Sequence, residues 1–451
     1  MTHEPGGVVS DRLCALRVTW NVEGAFVNKG GKIMTHARFV VISLVLTVFF
    51  YAAESMAKPA LPMAKSPEEV GLSSVQLARV EAVTQEHIKA GLVPGAVMLV
   101  ARKGKIAWYK TMGQRDREAG DAMTADALFR LYSMTKPIVS VAAMMIVEEG
   151  KMQVTDRVSM YLPEMAGMKV GIEKIDANGK PTMELVPADR EMTVQDLLRH
   201  TSGLIYGGRG KSAINAAYIE ARIGDRSFTN QEFVTLVSKL PLRFSPGERF
   251  EYGISTDVLG RVIEVIEKKS LGEILDERVL RPLKMTDTAF FVPAAKLARA
   301  AQPWQRPGVP PTPRFDVSQK PAFESAGAGL VGSIDDYLRF TLMLANGGEF
   351  AGKRIVGKKT VEYMIADHLG KAPGRPPGLG FGLGFDVRNM VGEAGIAGSV
   401  GEYGWSGNAG TIFWIDPKEN LIAIYMVQVN DGDRIMLRNQ FRSMVQAAII
   451  R

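Results

Sequence analysis

Hydrophobic positions recur at helical spacing in some stretches of this chain and run together as β-rich blocks in others. Val75, Leu77, Val80 and Val83 mark one side of a helix that Ser73 or Ser74 can cap and that reaches about Lys89. Gly95 to Ala101 is apolar and β-rich, Lys103-Gly104 turns, and Ile106 to Met112 returns, which predicts a hairpin on one edge of a sheet. The apolar positions Ile138, Val139, Val141, Ala142, Met145 and Ile146 predict a buried helix that stops at Gly150. Pro137 is tolerated only in a first turn, so that helix starts near Ser133. Residues 151–310 look mainly helical and loop-rich. There Thr193 caps Val194 to His200, while Gln231 to Leu240 and Thr256 to Ser270 are amphipathic. Six prolines within 302–321 predict a structured loop or crossing segment. Ser333 caps Ile334 to Asn346, which Gly347-Gly348 ends. Thr411 to Ile415 and Leu421 to Val429 flank the turn Asp416-Pro417-Lys418-Glu419-Asn420, and Leu437 to Ile450 is a last amphipathic helix.

Strands at both ends with helices between predict an α/β (α+β) fold. One antiparallel sheet is built from both chain ends and flanked by helices, and a mainly helical region is inserted between them. The boundaries are 58–150 with 311–451 for the α/β part and 151–310 for the helical part, the two meeting at a cleft.

The first 57 residues stand apart. Residues 1–33 have no clear periodicity. Met34-Thr35-His36-Ala37-Arg38 is followed by an apolar run from Phe39 to Ala53 and by Ser55-Met56-Ala57, the layout of a secretory signal peptide. Translation is expected to begin at Met34, since Lys29-Gly30-Gly31 is what a bacterial ribosome-binding sequence encodes when read through. Cleavage is expected after Ala57, which places the protein in the periplasm or outside the cell. The apolar run is short for a span of about 20 residues, so stable membrane insertion is expected only if the segment stays uncleaved. The single cysteine, Cys14, lies ahead of that cleavage point, so the mature chain has no disulfide and no catalytic thiol.

The composition, 46% hydrophobic and 23% charged, is that of an ordinary globular protein. The net charge of +7 hints at an anionic partner. Lysine and arginine are interspersed with aspartate and glutamate, however, and no run of five basic residues occurs. The charge therefore reads as a solvated surface, not a nucleic-acid footprint.

Candidate chemistry centres on Ser133-Met134-Thr135-Lys136. Serine and lysine at i and i+3 share a helix face, and Ser133 falls at the positive end of the helix dipole. Burial favours neutral lysine, and a neutral Lys136 could act as a base toward Ser133. The plainer reading is a capping serine and a surface lysine, so the tetrapeptide needs company. Tyr252 follows the turn Pro246-Gly247, where a phenol beside a cation could shuttle protons; alternatively it packs a loop. Gly401 to Gly410 is glycine-dense and opens a strand, which suits an oxyanion hole or, more plainly, a bulged edge strand.

In their order along the chain, Ser133-Met134-Thr135-Lys136, the Tyr252 loop and Trp405-Ser406-Gly407 resemble the three signature elements of serine β-lactamase/DD-peptidase-fold enzymes. Leu197-Leu198-Arg199-His200-Thr201-Ser202-Gly203-Leu204, Ser245-Pro246-Gly247-Glu248, Pro282 to Thr288 and Gly329 to Ser333 resemble the class C branch, and the resemblance runs from about residue 68 to the end. Two departures set the subclass. Ile254 stands where β-lactamases of this branch carry the asparagine of Tyr-x-Asn, and Trp405 stands where they carry the lysine of Lys-Thr-Gly. Isoleucine cannot hydrogen-bond a substrate amide, and tryptophan has no charge for a carboxylate. The pattern is similar to family VIII carboxylesterases. That resemblance implies catalysis by Ser133, Lys136 and Tyr252, an oxyanion hole from the backbone N–H groups of Ser133 and Asn408, and substrate contacts at Trp405, Ser406, Gly407 and Ile254. It implies a small-molecule ester as the partner, with a neutral, short acyl group, and neither metal nor cofactor.

A Ser-His-Asp esterase is the rival mechanism, but its G-x-S-x-G elbow is absent and only His87, His200 and His368 follow Ala57. Two other functions stay open: a β-lactamase or D-amino-acid peptidase on the same groups, and a non-catalytic homologue. Retention of Ser133, Lys136 and Tyr252 counts against the last, and Ile254 and Trp405 count against the former.

Overall fold

Eight antiparallel strands make the main sheet of the computed structural model, which describes residues 60–177, 179, 181–304, 315–429 and 433–451. The expected leader, the signal segment 34–57, Cys14, the boundary at 310 and much of the proline-rich stretch lie outside the described residues. Three strands come from the front of the chain, β1 (Gly95–Arg102), β2 (Lys105–Asp116) and β3 (Asp121–Ala122). Five come from the back: β4 (Leu379–Phe381), β5 (Asp386–Arg388), β6 (Tyr403–Ser406), β7 (Ile412–Asp416) and β8 (Leu421–Val427). Their order is β4-β5-β6-β7-β8-β1-β2-β3, so the two ends of the chain join where β8 pairs with β1, Ala96 opposite Val427 and Arg102 opposite Leu421.

β1 explains why its sequence is uniformly apolar and not alternating. All eight of its residues are buried, because both faces of the sheet are covered. Val97, Leu99 and Ala101 face a large core that includes helix α2 (Thr135–Glu148), whereas Ala96, Met98 and Val100 face a smaller one under α1 (Ser74–Lys89) and a helix near the chain end. The expected turn between β1 and β2 is present, with Lys103 and Gly104 both at positive φ. Likewise Ser73 caps α1, accepting from the backbone of Gln76. The buried side of α1 is Leu77, Val80 and Thr84; Val75 is instead 66% exposed.

Ends of several elements differ from expectation for identifiable backbone reasons. A short turn at Tyr132–Met134 precedes α2, so the regular helix begins at Thr135, two residues past Ser133. Gly150, at positive φ, does stop it. The helix capped by Thr193, α3 (Val194–Leu198), ends before His200, which is left-handed at φ 57°. The next long one, α4 (Ser255–Glu267), ends at left-handed Lys268. α5 (Ile334–Ala345) is capped by Ser333 as expected, and α6 (Arg434–Ala447) begins three residues earlier than its apolar pattern suggested. The middle region, expected to be mainly helical and loop-rich, also holds an antiparallel pair, Lys169–Ile175 with Pro181–Pro187. Most of its first strand is exposed, so no apolar alternation marked it.

One ion cluster fastens the back of the sheet beneath the candidate site. Glu402, only 1% exposed, accepts from Arg388 at the end of β5 and from Arg442 on α6. A buried carboxylate needs such partners, and here they tie the approach to β6 to the helix that covers it.

Candidate active site

Tyr132 sits at φ 47°, an uncommon backbone for a bulky residue, and the chain turns there into Ser133. The turn is held from behind by Leu131, whose N–H donates to the Leu330 carbonyl at 2.9 Å, and by Tyr337, whose hydroxyl donates to the Met134 carbonyl at 2.9 Å. Ser133 itself is half-buried and lines a cavity of about 980 Å³. Tyr252, Trp405, Ser406, Gly407 and Asn408 line the same cavity. The structure thus brings together six of the eight residues the sequence singled out. Lys136 lies beneath the cavity and not in its wall, 1% exposed. Ile254, 3% exposed, lines a separate pocket of about 340 Å³ that shares Tyr132, Tyr206 and Ala328 with the first.

Close backbone approach builds the wall opposite the serine. A Cβ on Gly407 would collide with the Leu131 carbonyl and with Thr411 Oγ1, so only glycine lets β6 come this near the Ser133 turn. Gly253 has the same role beside Tyr252, since a Cβ there would strike the Leu204 carbonyl. The Tyr252 loop is further held by His200, whose carbonyl accepts from Glu251 N–H at 2.9 Å.

Lys136 Nζ donates to the Gly327 carbonyl at 2.8 Å and bonds the Tyr206 hydroxyl at 3.2 Å. It also lies 4.6 Å from the centre of the Tyr252 ring. Burial is the largest single influence on this amine and favours the neutral form, but Tyr206, Tyr252 and Asp257 together outweigh it and hold Lys136 above the usual lysine range. This corrects the expectation of a neutral Lys136. Burial was legible from the sequence; the oxygens that surround the amine were not. The Tyr252 hydroxyl is buried and makes no hydrogen bond of ordinary geometry among the described residues. A second cation, Arg209, stacks 4.8 Å from the Tyr252 ring centre. Trp405 meets Tyr252 edge-on at 5.2 Å, and its Nε1 is buried without a hydrogen-bond partner among the described residues.

Histidine plays a packing part here. His200 lies 4.7 Å from the Tyr252 ring centre, and burial, reinforced by Lys136, Arg209 and Arg375, pushes its pKa well below the ordinary value, which keeps it neutral. None of His87, His200 and His368 lines the serine's cavity among the described residues.

A family model described as Beta-lactamase matches residues 80–443. The chain belongs to the Beta-lactamase family. Within it, the chain is 36% identical to Protein Rv1367c of Mycobacterium tuberculosis over 77% of this chain and 89% of that protein. It is 32% identical to Esterase EstB of Burkholderia gladioli over 77% of this chain and 87% of EstB. Among solved structures it is similar to EstCE1, a hydrolase with promiscuous acyltransferase activity. The TM-score is 0.69 at 25% identity, covering 83% of this chain and 98% of EstCE1. The α+β fold read from the sequence is therefore that of this family.

Several residues of the site escaped sequence reasoning. Tyr206 and Arg209 come from the glycine-bearing loop after Leu204, Gly327 supplies the carbonyl that anchors Lys136, and Asp257 lies in the first turn of α4. Arg438 on α6 donates to the carbonyls of Gly407 and Gly410, and burial beside Arg434 brings its pKa down to about 10.

Proposed function

We propose that the protein is a serine hydrolase of carboxylic esters that works through an acyl-enzyme on Ser133. The observation that carries this reading is the convergence of Ser133, Tyr252 and the Trp405–Asn408 segment on one cavity, with Lys136 buried against Tyr252. Tyr252, backed by Lys136, serves as the general base that takes the proton of Ser133 as the serine oxygen attacks the ester carbonyl. Lys136 stays an ammonium, and with Arg209 it places two positive charges on the Tyr252 ring. The oxyanion is met by the backbone N–H groups of Ser133 and Asn408. On collapse the leaving alcohol takes the proton back from Tyr252. Water then gives a proton to Tyr252, attacks the acyl carbonyl and frees Ser133, which recovers that proton. The name of Esterase EstB supports esters as the substrate class, and the acyltransferase activity in the description of EstCE1 supports an acyl-enzyme.

The acyl group is neutral and short in this reading, because Trp405 and Ile254 stand where β-lactam recognition needs a charge and an amide partner. A lysine at position 405 would contribute a charge-assisted bond to a β-lactam carboxylate, about 1.5–3 kcal/mol. Neutral esters should therefore exceed cephalosporins in kcat/KM, and Trp405→Lys should narrow the gap by roughly 10- to 150-fold. If the wild-type protein turns over cephalosporins faster than any simple ester, the β-lactamase reading replaces this one.

The same reading includes export with cleavage after Ala57. N-terminal sequencing of protein made in a bacterium should begin at Lys58, and a terminus at Met1 or Met34 would overturn it.

A further inference from the structure

The pocket of about 340 Å³ beside the serine's cavity is walled mostly by apolar side chains, Ile223, Ile254, Phe315 and Phe323 among them. The two sides of an ester make different demands on their surroundings. The alcohol must leave and water must enter, which suits the larger cavity. The acyl group stays bonded to the serine through the second step and gains from a confining apolar pocket. Its one arginine breaks the apolar pattern. The Arg226 guanidinium lies 4.2 Å from the centre of the Phe315 ring, and its Nη2 is buried with no hydrogen-bond partner among the described residues. A buried donor without an acceptor is costly, and a ligand oxygen would satisfy it.

Asp257 decides which kind of oxygen. It stands in the same pocket, 5% exposed, with Oδ1 accepting from Ser325 Oγ at 2.6 Å and from Gly327 N–H at 2.9 Å. A ligand carboxylate would be drawn by Arg226 and repelled by this buried carboxylate, whereas a neutral acceptor takes the Arg226 bond without that repulsion. We propose that this pocket holds the acyl chain and that Arg226 donates to a neutral oxygen on it, so that esters of oxo-, alkoxy- or hydroxyacyl groups are the preferred class. The inference rests on the esterase reading and adds a specificity-determining residue to it.

The test uses the full protein and 4-nitrophenyl esters of one chain length: hexanoate, hexanoates with an oxo group at successive carbons, and an ester of equal length ending in a carboxylate. At one oxo position kcat/KM should exceed that for hexanoate by on the order of tenfold. Arg226→Met should bring this ratio to about one, and Arg226→Lys should retain part of it. A purely structural role would lower all the esters together and leave the ratio where it was, which would overturn the proposal. So would a series in which no oxo ester exceeds hexanoate, or one in which the carboxylate-ended ester is preferred. Absence of Ser133-dependent hexanoate turnover in the wild type would instead remove the esterase reading, and this proposal with it.

Discussion

Ser133→Ala should lower kcat for a neutral ester by on the order of 10⁴–10⁶, leaving the folded protein intact. The size follows from the chemistry. Without the hydroxyl no acyl-enzyme can form, and the remaining groups offer only binding and an oxyanion site. The fold should be indifferent, because Ser133 is half-buried and the turn around it is held by the backbone of Leu131 and by Tyr337, not by the serine side chain. Its thermal midpoint should therefore stay near that of the wild type, as for substitutions outside the core. Residual activity within about tenfold of the wild type would mean that another group is the nucleophile.

Tyr252→Phe and Lys136→Ala should each lower kcat by on the order of 10²–10⁴, the range for general acid–base groups. The two losses should not add, because the ammonium acts through the phenol it lies against. Tyr252→Phe is the cleaner variant. It removes only the hydroxyl and keeps the ring that Trp405 meets edge-on. Lys136→Ala also empties a buried space and leaves the Gly327 carbonyl without its donor, so its kcat must be read beside its stability. A Tyr252→Phe enzyme with near-normal kcat would take Tyr252 out of the proton path.

Local patterns carried more of this structure than long-range ones. The sheet joined from both chain ends was legible because β1, β7 and β8 are apolar runs bounded by turn residues. Helix starts were legible from Ser73, Thr193 and Ser333, whose hydroxyls do cap. Helix ends at His200 and Lys268 were not, because nothing in a histidine or lysine announces a left-handed backbone. The exposed pair of strands at 169–187 was missed for a different reason, since a strand that packs little against a core carries little alternation. In the site, short motifs marked Ser133, Lys136, Tyr252 and Trp405. Tyr206, Arg209, Arg226 and Gly327 reach it from distant loops, a placement only the folded chain reveals. The charge of Lys136 was misread for the same reason: its acceptors come from residues about 70 and 190 positions away.

Covalent labelling tests the central claim most directly. The intact protein is treated with a fluorophosphonate, digested and mapped by mass spectrometry, with ester turnover followed in parallel. The expected result is a single adduct on Ser133 whose extent tracks the loss of activity. An adduct on a different serine, or full loss of activity with Ser133 unlabelled, would contradict the account.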